Sequence, residues 1–120
     1  MPVDFLTEEQ ERRYGRFAGE PTLEQLEKYF QLDFDARDRI ARAARGDGNR
    51  LGFALQLGTV RFLGTFLPDP TEVPAGVVRY VASLLRVDPG GLAAYGASET
   101  RWDHATRIRE RFGCGYIRRA

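Results

Sequence analysis

The chain has 120 residues, of which 42% are hydrophobic and 12% are aromatic. This composition fits one globular domain and excludes an intrinsically disordered chain. It contains no run of about 18 apolar residues, so we expect no membrane-spanning helix. Its acidic start lacks the basic region of a signal peptide, and one cysteine cannot form an internal disulfide. We therefore expect a cytoplasmic protein with no metal and no cofactor.

The net charge of +1 conceals an uneven distribution of charge along the chain. Residues 1–35 hold nine acidic and four basic side chains, whereas residues 36–61 hold six arginines and two aspartates. Arginines outnumber lysines by 17 to 1. Genomic GC bias is one explanation of this excess. The other is nucleic-acid binding, because guanidinium groups make forked contacts with phosphates and guanine edges.

Three helix-start signals lie in the first third of the chain. Thr7 begins a capping box and predicts a first helix, and Thr22 begins a second capping signal. Either Asp33 or Asp35 is suited to cap a third helix over about 36–45. The sequence therefore predicts three short helices before the first glycine-rich turn.

The segment from Arg50 to Leu63 has the most distinctive pattern in the chain. A tight turn precedes it, and Asn49 is the predicted N-cap. At 100° per residue its apolar side chains cover most of the circumference, which is typical of a buried central helix. Glycines in a helix cost roughly 1 kcal/mol each, and close approach of neighbouring helices explains why they are tolerated. Three such glycines recur at six-residue spacing: Gly52, Gly58 and Gly64.

Three further helices are predicted in the second half of the chain. Pro74 fits the first position of one helix, and Asp88 opens a short helix that runs through about Tyr95. Thr100 opens the last helix, which ends near Phe112. Together these elements predict an all-α fold, with about six or seven short helices around the central apolar helix in a single domain, residues 1–120.

No catalytic constellation is apparent in the sequence. It has one histidine, one cysteine and no glycine-rich phosphate loop of known spacing. Its paired carboxylates lie at expected helix starts, where the helix dipole favours them for structural reasons. We therefore expect no enzymatic activity from this chain.

Two helices carry rows of basic side chains that are candidates for contacts with DNA. In the last helix, Trp102 is expected to face the core. The basic side chains on another side of this helix are interpreted either as a DNA-binding row or as an ordinary solvated polar face. The candidates in this helix are His104, Arg107 and Arg111, with Arg101 beside the apolar face. The third helix offers Arg39, Arg42 and Arg45. From the central helix, only Arg50 and Arg61 share an angular position from which they can reach outward.

Several stretches of the chain also carry a family pattern. The most specific is NRLGFALQLGTVRFLG, which begins at Asn49 and continues into TFLPDP. PVDFLT at the start, YGRF, LEKYF and the later TRWDH extend the match over nearly the whole chain. With these segments the sequence resembles the N-terminal region of the Tn-three family of replicative transposases.

The resemblance implies a helical region that takes part in recognising terminal inverted repeats. It also implies that the acidic, metal-binding catalytic triad of the family lies outside these 120 residues. The expected partner is the DNA of transposon ends, and the expected location is the cytoplasm, with nucleoid association when the protein is bound to DNA. The alternative is a helical interaction module that binds the remainder of a transposase or a second copy of the chain. If both arginine rows lie on one face, DNA binding is favoured, whereas rows on opposite faces or a dominant exposed apolar patch favour the interaction module.

Overall fold

The computed structural model describes residues 17, 19–67 and 69–111. All regular secondary structure in this part of the chain is helical, which confirms the predicted all-α class. The elements are α1 (Leu23–Tyr29), α2 (Phe34–Ala43), α3 (Asp47–Leu63), α4 (Ala75–Leu85), a 3-10 turn (Pro89–Gly91), α5 (Leu92–Ala97) and α6 (Thr100–Arg111). The helix predicted after Thr7 and the predicted end at Phe112 lie outside the described residues.

The first two helix starts follow the predicted capping chemistry. At α1, the Thr22 hydroxyl accepts the Gln25 N–H at 3.1 Å, and the Gln25 side-chain oxygen accepts the Thr22 N–H at 3.0 Å. At α2, the carboxylate of Asp33 accepts the N–H of Ala36 at 2.8 Å. The capping box at Thr22 is therefore confirmed, and of the two candidates for α2 the structure has Asp33 as the cap, so this helix begins two residues before the predicted start.

The start of α3 differs from the prediction. The helix begins at Asp47, and its N-cap is Gly46, which has a φ of 86° that favours glycine. Asn49 lies inside the first turn, where its side-chain amide donates to the Arg45 carbonyl oxygen at 2.9 Å. The prediction of Asn49 as N-cap is therefore wrong, and the segment predicted as a turn supplies the first turn of the helix.

Helix α3 lies at the centre of the described structure. Every residue from Leu51 to Val60 is buried, and α3 packs against each of the other helices. The ring of Tyr95 occupies the space that a Cβ would need at Gly52, and the ring of Phe30 does so at Gly58. These two glycines therefore allow aromatic rings of neighbouring segments to lie directly against the α3 backbone.

None of the helices in the described ranges combines the length and the apolar character that a bilayer crossing requires.

Candidate nucleic-acid interface

Arginines from α2 and α6 line one surface cleft. Arg39 and Arg42 come from α2, Arg107 comes from α6, and Phe53 of α3 lies between the two helices. We call this surface the α2–α6 cleft, and its lining residues are Asp35, Asp38, Arg39, Arg42, Ala43, Phe53 and Arg107. Packing on α3 thus brings parts of the two predicted basic rows together, although Arg42 and Arg107 are 65 positions apart in sequence.

Each arginine of the α2–α6 cleft has a carboxylate one helical turn before it. The nitrogen–oxygen distances are 2.9 Å for Arg39 with Asp35, 3.1 Å for Arg42 with Asp38, and 4.0 Å for Arg107 with Asp103. Such solvent-accessible pairs contribute about 0–1 kcal/mol each. The guanidinium groups are therefore oriented by their partners but can transfer to a competing anion at little cost.

His104 does not lie on this surface. Its side chain is 1% exposed, its ring centroid lies 4.7 Å from that of Phe53, and its Nδ1 atom is 2.8 Å from the Tyr95 hydroxyl. Burial lowers the pKa of His104 to about 4; the charge of Asp103 opposes this shift, and that of Arg107 adds to it. The prediction of His104 as a DNA contact is therefore wrong, because the side chain is a neutral part of the core.

A buried hydrogen-bond chain explains the position of His104. The Gln56 amide donates to the Tyr95 hydroxyl at 2.7 Å and to the Arg101 carbonyl oxygen at 3.0 Å. The proton of the buried Tyr95 hydroxyl needs an acceptor, and among its described contacts His104 Nδ1 can serve as one, so we assign Nδ1 as the unprotonated ring nitrogen. Gln56 is the residue from which this network could have been predicted, since a buried side-chain amide in an apolar helix needs a hydrogen-bond partner.

Trp102 lies on the exposed side of α6. Its side chain is 60% exposed, and the Arg101 guanidinium lies 4.6 Å from the centroid of its ring system. The buried side of α6 is formed instead by His104, Ala105 and Ile108. The prediction that Trp102 faces the core is therefore wrong, because the histidine, and not the larger indole, has a polar partner inside.

Arg50 and Arg61 reach from α3 to the two ends of α2. Arg50 Nε donates to the Ala44 carbonyl oxygen at 3.2 Å, and Arg61 Nη1 donates to the Gln31 carbonyl oxygen at 3.1 Å. These two carbonyl groups flank α2, so the two arginines tie its ends to the central helix. Arg50 and Arg61, which were predicted to share one side of the central helix, thus both hold α2 in place.

The other predicted contacts lie at the edges of these helices. Arg45 is exposed directly after α2, and Arg101 is half-buried at the start of α6. Arg111 is the last residue of α6, and its side chain lies outside the described part of the structure. In the described ranges, no three His, Cys, Asp or Glu side chains are grouped so that they could hold a metal ion.

Comparison with known proteins gives a consistent set of relatives. A family model described as a domain of unknown function, DUF4158, matches residues 5–119. The transposase for transposon gamma-delta of Escherichia coli (strain K12) is 47% identical over 94% of this chain. The transposase for transposon Tn501 of Pseudomonas aeruginosa is 38% identical over 70%, and that for transposon Tn1546 of Enterococcus faecium is 32% identical over 91%.

The chain corresponds to only a small part of each of these relatives. It spans 11% of the gamma-delta transposase, 8% of the Tn501 transposase and 11% of the Tn1546 transposase. The family model, in contrast, covers nearly all of the chain. The chain therefore belongs to the DUF4158 family, and the curated proteins it matches are transposases of the Tn-three family.

Proposed function

We propose that this chain is a DNA-binding domain that contacts the terminal inverted repeats of a transposon. The observation that carries the proposal is the α2–α6 cleft, where Arg39, Arg42 and Arg107 from two helices share one surface. The names of the relatives add support, because a transposase acts on transposon DNA. The proposed role is non-catalytic, with the chemistry of transposition carried by other parts of a longer protein.

The paired state of the cleft arginines favours selective binding over strong attraction to any DNA. In the free chain, Asp35, Asp38 and Asp103 offset the charges of the three arginines. A distant duplex therefore meets a nearly neutral surface, and long-range attraction is weak. A duplex that places phosphates or guanine edges within hydrogen-bond distance gains charge-assisted bonds that outweigh the exposed ion pairs.

An interaction module remains the second candidate, because three large apolar side chains outside the cleft are exposed: Leu23, Phe34 and Trp102. Leu23 is 64% exposed and Trp102 is 60% exposed. By helical geometry, Trp102 lies about 140° around α6 from Arg107, so it does not border the same cleft. If this candidate is correct, Trp102→Ala will weaken self-association in sedimentation experiments without changing DNA affinity.

The triple substitution Arg39→Gln, Arg42→Gln and Arg107→Gln tests the proposed function. Each lost phosphate contact lowers the slope of log affinity against log salt by about 0.9. We therefore expect the slope to fall by up to about 3, so that the wild type loses roughly 40-fold more affinity than the variant between 50 and 200 mM salt. Fluorescence anisotropy with a terminal inverted-repeat duplex measures both quantities.

A matched control removes three positive charges from elsewhere on the surface. Lys28, Arg79 and Arg109 are exposed and do not line the α2–α6 cleft, so their replacement by Gln reproduces the change in net charge. If the two triple variants bind the duplex equally well, the assignment of the cleft as the DNA-binding surface is wrong.

A further inference from the structure

A second groove lies on the other flank of α2. Arg37 of α2, Arg50 of α3 and Arg86, which follows α4, contribute its basic side chains. We call it the α2–α4 groove, and its lining residues are Arg37, Ile40, Ala41, Arg50, Leu84, Leu85, Arg86 and Val87. It therefore combines three positive charges with no carboxylate among the residues that line it.

The charges of this groove are not offset as those of the α2–α6 cleft are. Among the residues that the structure describes, none of these three arginines forms an ion pair. Arg37 Nε donates to the Leu32 carbonyl oxygen at 3.1 Å, and Arg50 Nε donates to that of Ala44 at 3.2 Å. These bonds fix the orientation of two guanidinium groups and leave their Nη atoms for an anion, which lowers the entropic cost of binding.

Helix α2 is a ridge between the two surfaces. Arg37 and Arg39 are about 200° apart on the helix, and each borders a different surface. Apart from the loops at its ends, α2 packs mainly against α3, so its outer side projects from the domain. Its ten residues give a length of about 15 Å, and a helix diameter of about 10–12 Å fits the major groove of B-DNA, which is about 12 Å wide.

The outer side of α2 carries side chains suited to base edges. Phe34 is 91% exposed, which is unusual for a large apolar residue without a partner surface. Asp38, Ala41 and Arg42 are exposed on the same side. In a major groove, Arg pairs with guanine, a carboxylate accepts from cytosine, and apolar side chains contact thymine methyl groups.

We infer that α2 enters the major groove of the DNA, with phosphates of one strand bound in the α2–α6 cleft and phosphates of the other strand bound in the α2–α4 groove. This inference rests on the proposed DNA-binding function. It adds Arg37 and Arg86 as phosphate contacts and gives the outer side of α2 the role of reading bases. Arg50 then both ties α2 to α3 and contacts a phosphate.

The double variant Arg37→Gln/Arg86→Gln tests the second phosphate surface. Arg50 is left unchanged because it holds the end of α2, and Arg79→Gln/Arg109→Gln is the control with the same change in charge. With a terminal inverted-repeat duplex and a scrambled duplex as probes, the salt slope of the test variant should fall by about 2. The loss of affinity should be similar for both duplexes, since phosphates carry no sequence information.

A second pair of variants tests the entry of α2 into the groove. Phe34→Glu places a carboxylate on the outer side of α2, at a position that lines neither surface, and should lower affinity at least tenfold at low salt by repulsion from the phosphates. Ala94→Glu, at an exposed position in α5, should leave affinity within about twofold. Far-UV circular dichroism and thermal unfolding of all variants establish that they are folded.

The outcomes separate this inference from the proposed function on which it rests. If the wild type does not prefer the inverted repeat, or the α2–α6 cleft variants bind normally, the proposed function fails. If the wild type prefers the inverted repeat and the α2–α6 cleft variants bind more weakly, but Arg37→Gln/Arg86→Gln matches its control, only the inference of a second phosphate surface fails. This is also the result expected if the α2–α4 groove binds an acidic protein segment instead of DNA. If Phe34→Glu binds like Ala94→Glu, α2 does not enter the major groove.

Discussion

Replacing Gly52 with alanine is expected to destabilise the domain by about 1–2 kcal/mol, although alanine is the better helix former. The Cβ of the new residue would coincide with the ring of Tyr95, which lies directly against the α3 backbone. That ring cannot move easily, because its hydroxyl group is hydrogen-bonded to Gln56 and His104. Overpacking of a well-packed core costs about 1–3 kcal/mol and occasionally more, and the gain in helix propensity of about 1 kcal/mol offsets only part of it.

Urea unfolding followed by circular dichroism measures this loss. The matched control is Gly90→Ala, where the nearest atom that a Cβ would meet is a carboxylate oxygen of Asp88 at 3.4 Å. This control should change the free energy of unfolding by less than about 0.5 kcal/mol. A Gly52→Ala variant as stable as the wild type would show that Tyr95 does not pack against α3 as described.

Acidification is expected to destabilise the domain through His104. Its pKa is about 4 in the folded chain and about 6.5 when exposed, so the unfolded state binds more protons between these values. The contribution to stability is therefore complete above about pH 6.5 and is lost as the pH falls towards 4, with a total loss of about 3 kcal/mol. Protonation of Nδ1 also removes the acceptor of the Tyr95 hydroxyl proton.

Urea unfolding at pH 7, 5.5 and 4.5 tests this dependence. The variant His104→Asn retains a side-chain acceptor for Tyr95 but has no group that titrates in this range. Its free energy of unfolding should therefore fall less steeply with acidification than that of the wild type, while the carboxylates contribute equally to both. Parallel pH profiles for the two proteins would mean that His104 is not buried in its neutral form.

Helix starts that depend on hydrogen bonds between residues close in sequence could be predicted, whereas one that depends on an unusual backbone angle could not. The caps at Thr22 and Asp33 involve hydrogen bonds across three residues; the sequence located the first and narrowed the second to Asp33 or Asp35. The start of α3 was missed because it depends on the positive φ of Gly46, which is a backbone property that residue types only suggest.

The exchange of roles between Trp102 and His104 has a tertiary cause. Periodicity favours burial of the larger apolar side chain, but the partners of His104 are Tyr95 from α5 and, through it, Gln56 from α3. A hydrogen-bond chain between three helices determines which side of α6 faces inward. No pattern within α6 alone contains this information.

The candidate DNA-binding surfaces depend on packing in the same way. The sequence identified Arg39, Arg42 and Arg107 as members of two rows, but only the packing of α2 and α6 on α3 brings them to one cleft. Arg37 and Arg86 were not predicted, because they become neighbours only where α2 passes the end of α4. The carboxylate partners of the cleft arginines were visible as aspartates four residues earlier.

The affinity of the unmodified chain for two DNA duplexes tests directly whether this domain recognises transposon ends. Anisotropy titrations with the terminal inverted repeat and with a scrambled duplex of equal length and composition, each at 50 and 200 mM salt, give affinity, specificity and salt slope together. Binding to the inverted repeat should be tighter than binding to the scrambled duplex at both salt concentrations, by a factor of about 10³. The salt slope should correspond to several phosphate contacts. Equal affinity for the two duplexes, or no dependence on salt, would contradict the proposed recognition of transposon ends.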